Sequence, residues 1–331
     1  MNEDLKSRGA AVAPWVGVPS PGSRISGLGA YRPAEVVNNQ SASAAAGVSA
    51  QWISSRVGIE ERRHASEAET VVAMAIAAGK EALADCGAST DDIDVVMLAT
   101  CSMPSPMPNG AAQVAVGMGI SAVAGFDLNA ACSGFCHGLA VADGLVRAGS
   151  ARGVLVIGSE RMTDWVSPEN RDTGPIFADG AAAALVVPSA DTSIFPVAWG
   201  SAGALADLIQ IPGPTGRMEM AGRKVFRWAT AELTGVMQAA CERARLRPAD
   251  LRAFVPHQAN LRIINALSQS LDAPNVVTAT DVINAGNTSA ASVPLALHAL
   301  RQSGQVDRGD PVLLFGFGAG LSYAAQVVLC P

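Results

Sequence analysis

The stretch Gly125-Phe126-Asp127-Leu128-Asn129-Ala130-Ala131-Cys132-Ser133-Gly134-Phe135-Cys136-His137-Gly138 decides how the rest of the chain is read. Small and apolar residues run into Cys132. After it, Leu139, Val141, Leu145 and Val146 have the spacing of a buried helix that Gly149 closes. The pattern predicts a strand giving way to a helix N-terminus at Cys132. Unpaired backbone N–H groups and the positive end of a helix dipole favour a thiolate there, the reactive form of cysteine. Ala130, Ala131, Ser133 and Gly134 leave space for a substrate to approach. Cys132 is therefore the candidate nucleophile.

On either side of this stretch one pattern recurs. Val72, Ile76, Gly79, Leu83 and Cys86 share a helical face and precede Asp91-Asp92-Ile93-Asp94 and an apolar strand from Val95 to Thr100. Leu233, Val236, Met237, Ala240 and Ala244 share another face. They precede Arg247-Pro248-Ala249-Asp250-Leu251 and a strand from Ala253 to His257. Phe177-Ala178-Asp179-Gly180 before Ala184-Leu185-Val186-Val187 likewise matches Phe317-Gly318-Ala319-Gly320 before Ala324-Ala325-Gln326-Val327-Val328. These matches predict an internal duplication, with halves near residues 22–190 and 191–331. A Pro-, Gly- and Ser-rich loose tail over residues 1–21 is expected to precede a first strand beginning near Ile25. Between two such halves is the natural place for chemistry.

Composition narrows the function. With 331 residues, 49% hydrophobic and 16% charged, and 33 glycines, the chain reads as an α/β protein with closely packed small residues. A net charge of -6 argues against nucleic acid as a partner. The N-terminus Met1-Asn2-Glu3-Asp4 carries no apolar h-region, and the apolar runs are too short for a membrane span, so a cytoplasmic location without membrane contact is expected. The six cysteines form no CxxC pair, which points away from zinc or a disulfide framework and toward buried small side chains; no metal is expected.

The four histidines are unequal candidates. His137 follows Cys132 by five residues, which on a helix turns it about 140° away. His64 falls in the basic cluster Arg62-Arg63-His64, read as surface, and His298 in an apolar helix. His257 ends a short apolar strand, where the sites of α/β sheets gather. Asn287 in Gly286-Asn287-Thr288-Ser289-Ala290-Ala291-Ser292-Val293-Pro294 enters a helix and on its own reads as a cap. Gly316-Phe317-Gly318-Ala319-Gly320 is either a plain tight turn or a loop that aims N–H groups at an oxyanion. With neither a Walker motif nor a complete GxGxxG after a strand, nucleotide-dependent chemistry is disfavoured.

Together, Ala131-Cys132-Ser133-Gly134-Phe135, His257-Gln258-Ala259-Asn260-Leu261-Arg262-Ile263-Ile264, the Asn287 segment and the final Gly-Phe-Gly-Ala-Gly resemble β-ketoacyl-acyl carrier protein synthase III of the thiolase superfamily. The resemblance runs from about residue 24 to the end. Through Phe135-Cys136-His137 and Gly320-Leu321-Ser322-Tyr323-Ala324 it is closest to the priming ketosynthases of aromatic polyketide pathways. It implies a thiolase fold, five αβαβα layers from two pseudo-duplicated halves, and a homodimer. It implies Cys132 as the acylated nucleophile, completed by His257 and Asn287, with the N–H groups of Cys132 and Ala319 as oxyanion hole. Trp52, Arg56, Arg171 and Arg262 match coenzyme A-binding positions, although Ala50 and Gln51 stand where relatives often have acidic residues. Arg227 and Arg262 are candidates for carrier-protein docking, with Arg223 and Lys224 equally readable as solvated charges. Phe317 is expected at the acyl pocket, as is Met107, at a position where the neighbouring subunit closes that pocket.

The implied reaction is a decarboxylative Claisen condensation of an acyl-CoA starter with malonyl-acyl carrier protein, priming polyketide or fatty acid synthesis. The CoA thioester is a substrate, and no cofactor is expected. A soft nucleophile suits a thioester, and two neutral donors suit a developing enolate that a carboxylate would repel. The rivals are an acyltransferase of the same fold acting on an alcohol or amine, and a non-catalytic partner subunit of another synthase.

Overall fold

The computed structural model describes residues 17–213 and 215–331. The first half runs β1 (Gly22–Tyr31), β2 (Glu35–Asn38), α1 (Asn39–Ala46), α2 (Ala50–Val57), β3 (Glu61–His64), α3 (Val71–Cys86), β4 (Val95–Ala99), α4 (Gly110–Met118), β5 (Ala124–Leu128), α5 (Gly134–Arg147), β6 (Val154–Arg161) and β7 (Asp179–Ser189). The second runs β8 (Ala198–Ser201), β9 (Ile209–Gln210), β10 (Glu219–Met220), α6 (Gly222–Glu232), α7 (Thr234–Arg243), β11 (Ala253–Pro256), α8 (Leu261–Leu271), β12 (Val277–Thr278), α9 (Val282–Ala285), α10 (Ser292–Gln302), β13 (Pro311–Phe317) and β14 (Ser322–Leu329).

Two five-stranded sheets organise these elements, in the order β1-β7-β6-β4-β5 and, read in the matching direction, β8-β14-β13-β11-β12. The senses match too: in each order the first two pairings are antiparallel and the last two parallel. The repeat seen in the sequence is thus a repeat of topology. α3 and α4 cover the outer face of the first sheet, α7 and α8 that of the second, and α5 and α10 lie between the sheets. Burial on both faces explains why β4 and β11 read as unbroken apolar runs rather than as alternations.

Several expectations need correction. β1 begins at Gly22, not Ile25. Residues 1–16 of the expected tail lie outside the described residues, and Ser20 is tied down, its N–H donating to the Arg147 carbonyl at 3.0 Å. The buried face of α3 is Val71, Met74, Ala75, Ala78, Gly79, Ala82 and Leu83, while Val72, Ile76 and Cys86 flank it. Small residues face the sheet because β1 comes very close: a Cβ at Gly29 would stand 2.2 Å from the Ala78 carbonyl oxygen. Arg62 is not a surface cation. It is wholly buried, donating to Asn39 Oδ1 at 2.8 Å and to the Pro175 carbonyl at 2.9 Å, and burial lowers its pKa to about 10.

Candidate active site

The same device precedes each of the two central helices. Asn129 Oδ1 accepts from the Ala131 N–H at 3.2 Å, and Asn287 Oδ1 accepts from the Ser289 N–H at 2.9 Å. Ala131 (φ 45°) and Ser289 (φ 48°) are both left-handed, and the short turns Ala131–Ser133 and Ser289–Ala291 lead into α5 and α10. Counting from the two asparagines, the first half places Cys132 where the second has Ala290. One copy of the turn presents a thiol, and the other presents Asn287.

Cys132, His257 and Asn287 line one cavity of about 970 Å³, together with Cys101, Asn129, Ser289, Phe317, Gly318 and Ala319. Trp52, Arg56, Arg171, Arg262, Arg223 and Lys224 line it as well. Arg262 also stacks its guanidinium over Phe226, 5.4 Å from the ring centroid. Arg227 is exposed on α6 and is not part of the wall. Met107 is 80% exposed and does not reach the cavity of its own chain. His137 points elsewhere, stacking on Trp199 at 5.7 Å.

Ser289 and the backbone N–H groups of Cys132 and Ala319 favour the anion of Cys132 and pull its pKa down. Burial outweighs them and pushes the thiol up to about 12, opposite to the direction expected from the helix start. Loss of solvent around the sulfur disfavours the anion more than the local N–H groups favour it. Gly318 makes the close approach possible, since a Cβ there would lie 3.0 Å from the Cys132 Sγ.

His257 is 2% exposed, and burial lowers its pKa to about 3, which leaves the ring neutral. Its Nδ1 lies 2.7 Å from Ser292 Oγ, so Nε2 is the nitrogen left for the cavity. Phe317 meets the ring edge-on at 5.3 Å and 80°. The Oδ1 of Asn287 is committed to Ser289, which leaves its NH₂ to face the cavity.

Behind the wall stands a residue that the sequence reading missed. Glu160, at the end of β6, is wholly buried and accepts from Ser102 Oγ at 2.5 Å, Thr100 Oγ1 at 3.0 Å, Cys101 N at 3.1 Å and Ser289 Oγ at 2.9 Å. Burial raises its carboxyl above the usual carboxylate range, while the hydrogen bonds from Ser102, Cys101 and Ser289 pull the other way. It ties the loop after β4 in one half to the turn carrying Asn287 in the other. A carboxylate two residues after the apolar run Val154–Gly158 was the available signal, at the strand end where sites gather.

The C-terminal part of the chain, residues 241–330, matches the model of the 3-oxoacyl-[acyl-carrier-protein] synthase III C-terminal family, and residues 126–203 match the 3-oxoacyl-[acyl-carrier-protein] synthase III family. Among curated proteins, β-ketoacyl-[acyl-carrier-protein] synthase III 4 of Streptomyces coelicolor is 46% identical over 313 residues, covering 94% of this chain and 99% of that protein. Among solved structures, the priming β-ketosynthase from the R1128 polyketide biosynthetic pathway superposes with TM-score 0.92 at 41% identity, covering 96% of this chain and 99% of that one. The 3-oxoacyl-[acyl-carrier-protein] synthase III of Aquifex aeolicus gives 0.90 at 38% identity, covering 93% and 100%.

Proposed function

The chain belongs to the β-ketoacyl-acyl carrier protein synthase III family, with its thiolase fold, and on that premise we propose how its cavity carries out the reaction. It is a ketosynthase, an acyl-transferring enzyme that primes polyketide or fatty acid synthesis. The Cys132 sulfur attacks the carbonyl of an acyl-CoA. The N–H groups of Cys132 and Ala319 receive the oxyanion, and the C–S bond to coenzyme A breaks, the thiol proton ending on the departing sulfur. Malonyl-acyl carrier protein then enters. Its C–C bond to the carboxylate breaks, CO₂ leaves, and the electron pair moves onto the thioester as an enolate held by His257 Nε2–H and the Asn287 amide. The enolate carbon attacks acyl-Cys132, expels the cysteine sulfur and leaves a β-ketoacyl-acyl carrier protein. No bound cofactor takes part.

One observation carries this reading: the two neutral side-chain donors His257 and Asn287 and the backbone of Ala319 line the same cavity as the Cys132 thiol. Release of labelled CO₂ from carboxyl-labelled malonyl-carrier protein, dependent on prior acylation, tests it. Acyl transfer to an alcohol or amine without CO₂ would replace the condensation with the acyltransferase reading.

Coenzyme A is held at the cavity mouth by Trp52, Arg56, Arg171 and Arg262, and the acidic carrier protein by Arg227 and Arg262. The working form is a homodimer. β5 is an edge strand, and Met107, Val116 and Phe126 stand exposed near it at 80%, 80% and 37%. An unpaired edge with apolar neighbours is suited to a second copy of the chain. In that dimer Met107 closes the partner's acyl pocket beside Phe317. An unbranched, adaptable side chain there leaves room for starters longer than acetyl.

A further inference from the structure

Ser292 opens α10, is 2% exposed and does not itself line the cavity, yet its hydroxyl makes a 2.7 Å hydrogen bond with the ring of His257, which does. Its oxygen takes part in two hydrogen bonds. One is with His257 Nδ1 at 2.7 Å, and the other is accepted from the Gln258 N–H at 3.3 Å. Gln258 is held firmly. Its Nε2 donates to the Pro256 carbonyl at 2.7 Å and to the Ala279 carbonyl at 3.3 Å, and its Oε1 accepts from the Val282 N–H at 3.0 Å. The backbone N–H of Gln258 is an obligate donor, so it supplies a proton to the Ser292 oxygen and never takes one.

The direction of the other bond follows. Among the described residues, His257 Nδ1 is the one acceptor paired with the Ser292 hydroxyl. If Nδ1 carried the ring proton, Ser292 would face two donors and its own O–H would be buried without an acceptor, which native interiors avoid. If Ser292 donates to Nδ1, every group is matched and the ring proton sits on Nε2. The geometry points to Ser292 as a positioning residue that holds His257 in the Nε2–H tautomer, so that the ring offers the cavity a donor and not a lone pair.

This rests on the proposed reaction for its purpose: an enolate oxygen needs a hydrogen bond from Nε2. The tautomer itself is independent of any reaction. The ring stays neutral because burial keeps its pKa near 3, so the choice lies between two neutral tautomers and not between charged and uncharged forms. A hydroxyl fed by a fixed N–H makes that choice without bringing in a negative charge, whereas a carboxylate on Nδ1 would set the opposite tautomer.

The test is long-range ¹⁵N–¹H correlation of the histidine rings in the resting protein, with His257 assigned by the signals lost in His257→Gln. The proton is expected on Nε2, with Nδ1 bare and hydrogen-bonded. In Ser292→Ala the His257 signals should shift to a mixture or to the Nδ1–H form, and Ser292→Thr, which keeps the hydroxyl, should restore them. In parallel, Ser292→Ala should lower CO₂ release from malonyl-carrier protein by about tenfold or more, against at most about twofold in acylation of Cys132. A wild-type ring protonated on Nδ1, or a tautomer unmoved in a folded Ser292→Ala, overturns the assignment. If the tautomer behaves as stated but no CO₂ is released from malonyl-carrier protein, the positioning role stands and the proposed condensation fails.

Discussion

Gly318 packs against Cys132 so tightly that a Cβ at residue 318 would lie 2.7 Å from the cysteine Cβ and 3.0 Å from its sulfur. The contact brings the Ala319 backbone N–H close enough to the sulfur to favour its anion. Gly318→Ala must therefore move one of the two strand-end turns. We expect the folded variant to acylate Cys132 at least about tenfold more slowly, a loss of roughly 1.4 kcal/mol in the barrier. Ala319→Gly, which keeps the backbone donor, should stay within about threefold of the parent. Normal acylation in Gly318→Ala would separate the glycine from the oxyanion hole.

The pH dependence of Cys132 follows from its surroundings. Burial pushes the thiol up to about 12, so the thiolate fraction grows roughly tenfold per pH unit across the working range. Alkylation by iodoacetamide, followed by intact mass, should rise steadily to about pH 10 without a plateau. A plateau near neutral pH would mean that the helix start and its N–H groups outweigh enclosure after all.

Glu160 offers a stability test. It accepts hydrogen bonds from Thr100, Ser102, Cys101 and Ser289, all buried or half-buried. Glu160→Ala leaves those donors unmatched and should cost roughly 3 kcal/mol or more. Thermal or denaturant unfolding would measure it. A change below about 0.5 kcal/mol would show that the cluster rearranges freely around the missing carboxylate.

How far the sequence could carry the reading depends on the type of signal. The fold was legible because β4 and β11 are apolar throughout and each follows a helix patterned for burial, so the duplication shows in hydrophobicity alone. The correspondence of Asn129 with Asn287 was hidden, because the turns share a backbone path while their side chains differ at nearly every other position. His257 and Asn287 stood out by their place in specific motifs. Arg62 and Glu160 did not, since a charged residue in a single sequence reads as surface until its buried partners are known. The raised pKa of Cys132 was out of reach for a related reason. Local features argue for a thiolate, and only the packing around the sulfur reverses them.

Electrostatics of the mouth give a further expectation. Arg227 and Arg262 lie exposed on α6 and α8 of a chain with net charge -6. Arg227→Glu with Arg262→Glu should raise KM for malonyl-carrier protein several-fold at low salt. The difference should shrink above about 0.5 M salt, where screening shortens to a few ångströms. An unchanged KM would place the docking face elsewhere.

The central claim is a division of labour, with Cys132 carrying the acyl group and His257 and Asn287 holding the enolate. Its most direct measurement is Asn287→Ala, assayed on one sample for the acyl adduct by intact mass and for CO₂ release from labelled malonyl-carrier protein. The account predicts a single adduct, mapped to Cys132 and formed at close to the parent rate, with CO₂ release reduced by about a hundredfold. Equal losses in both steps, or an adduct on Cys101 or Cys136, would contradict it.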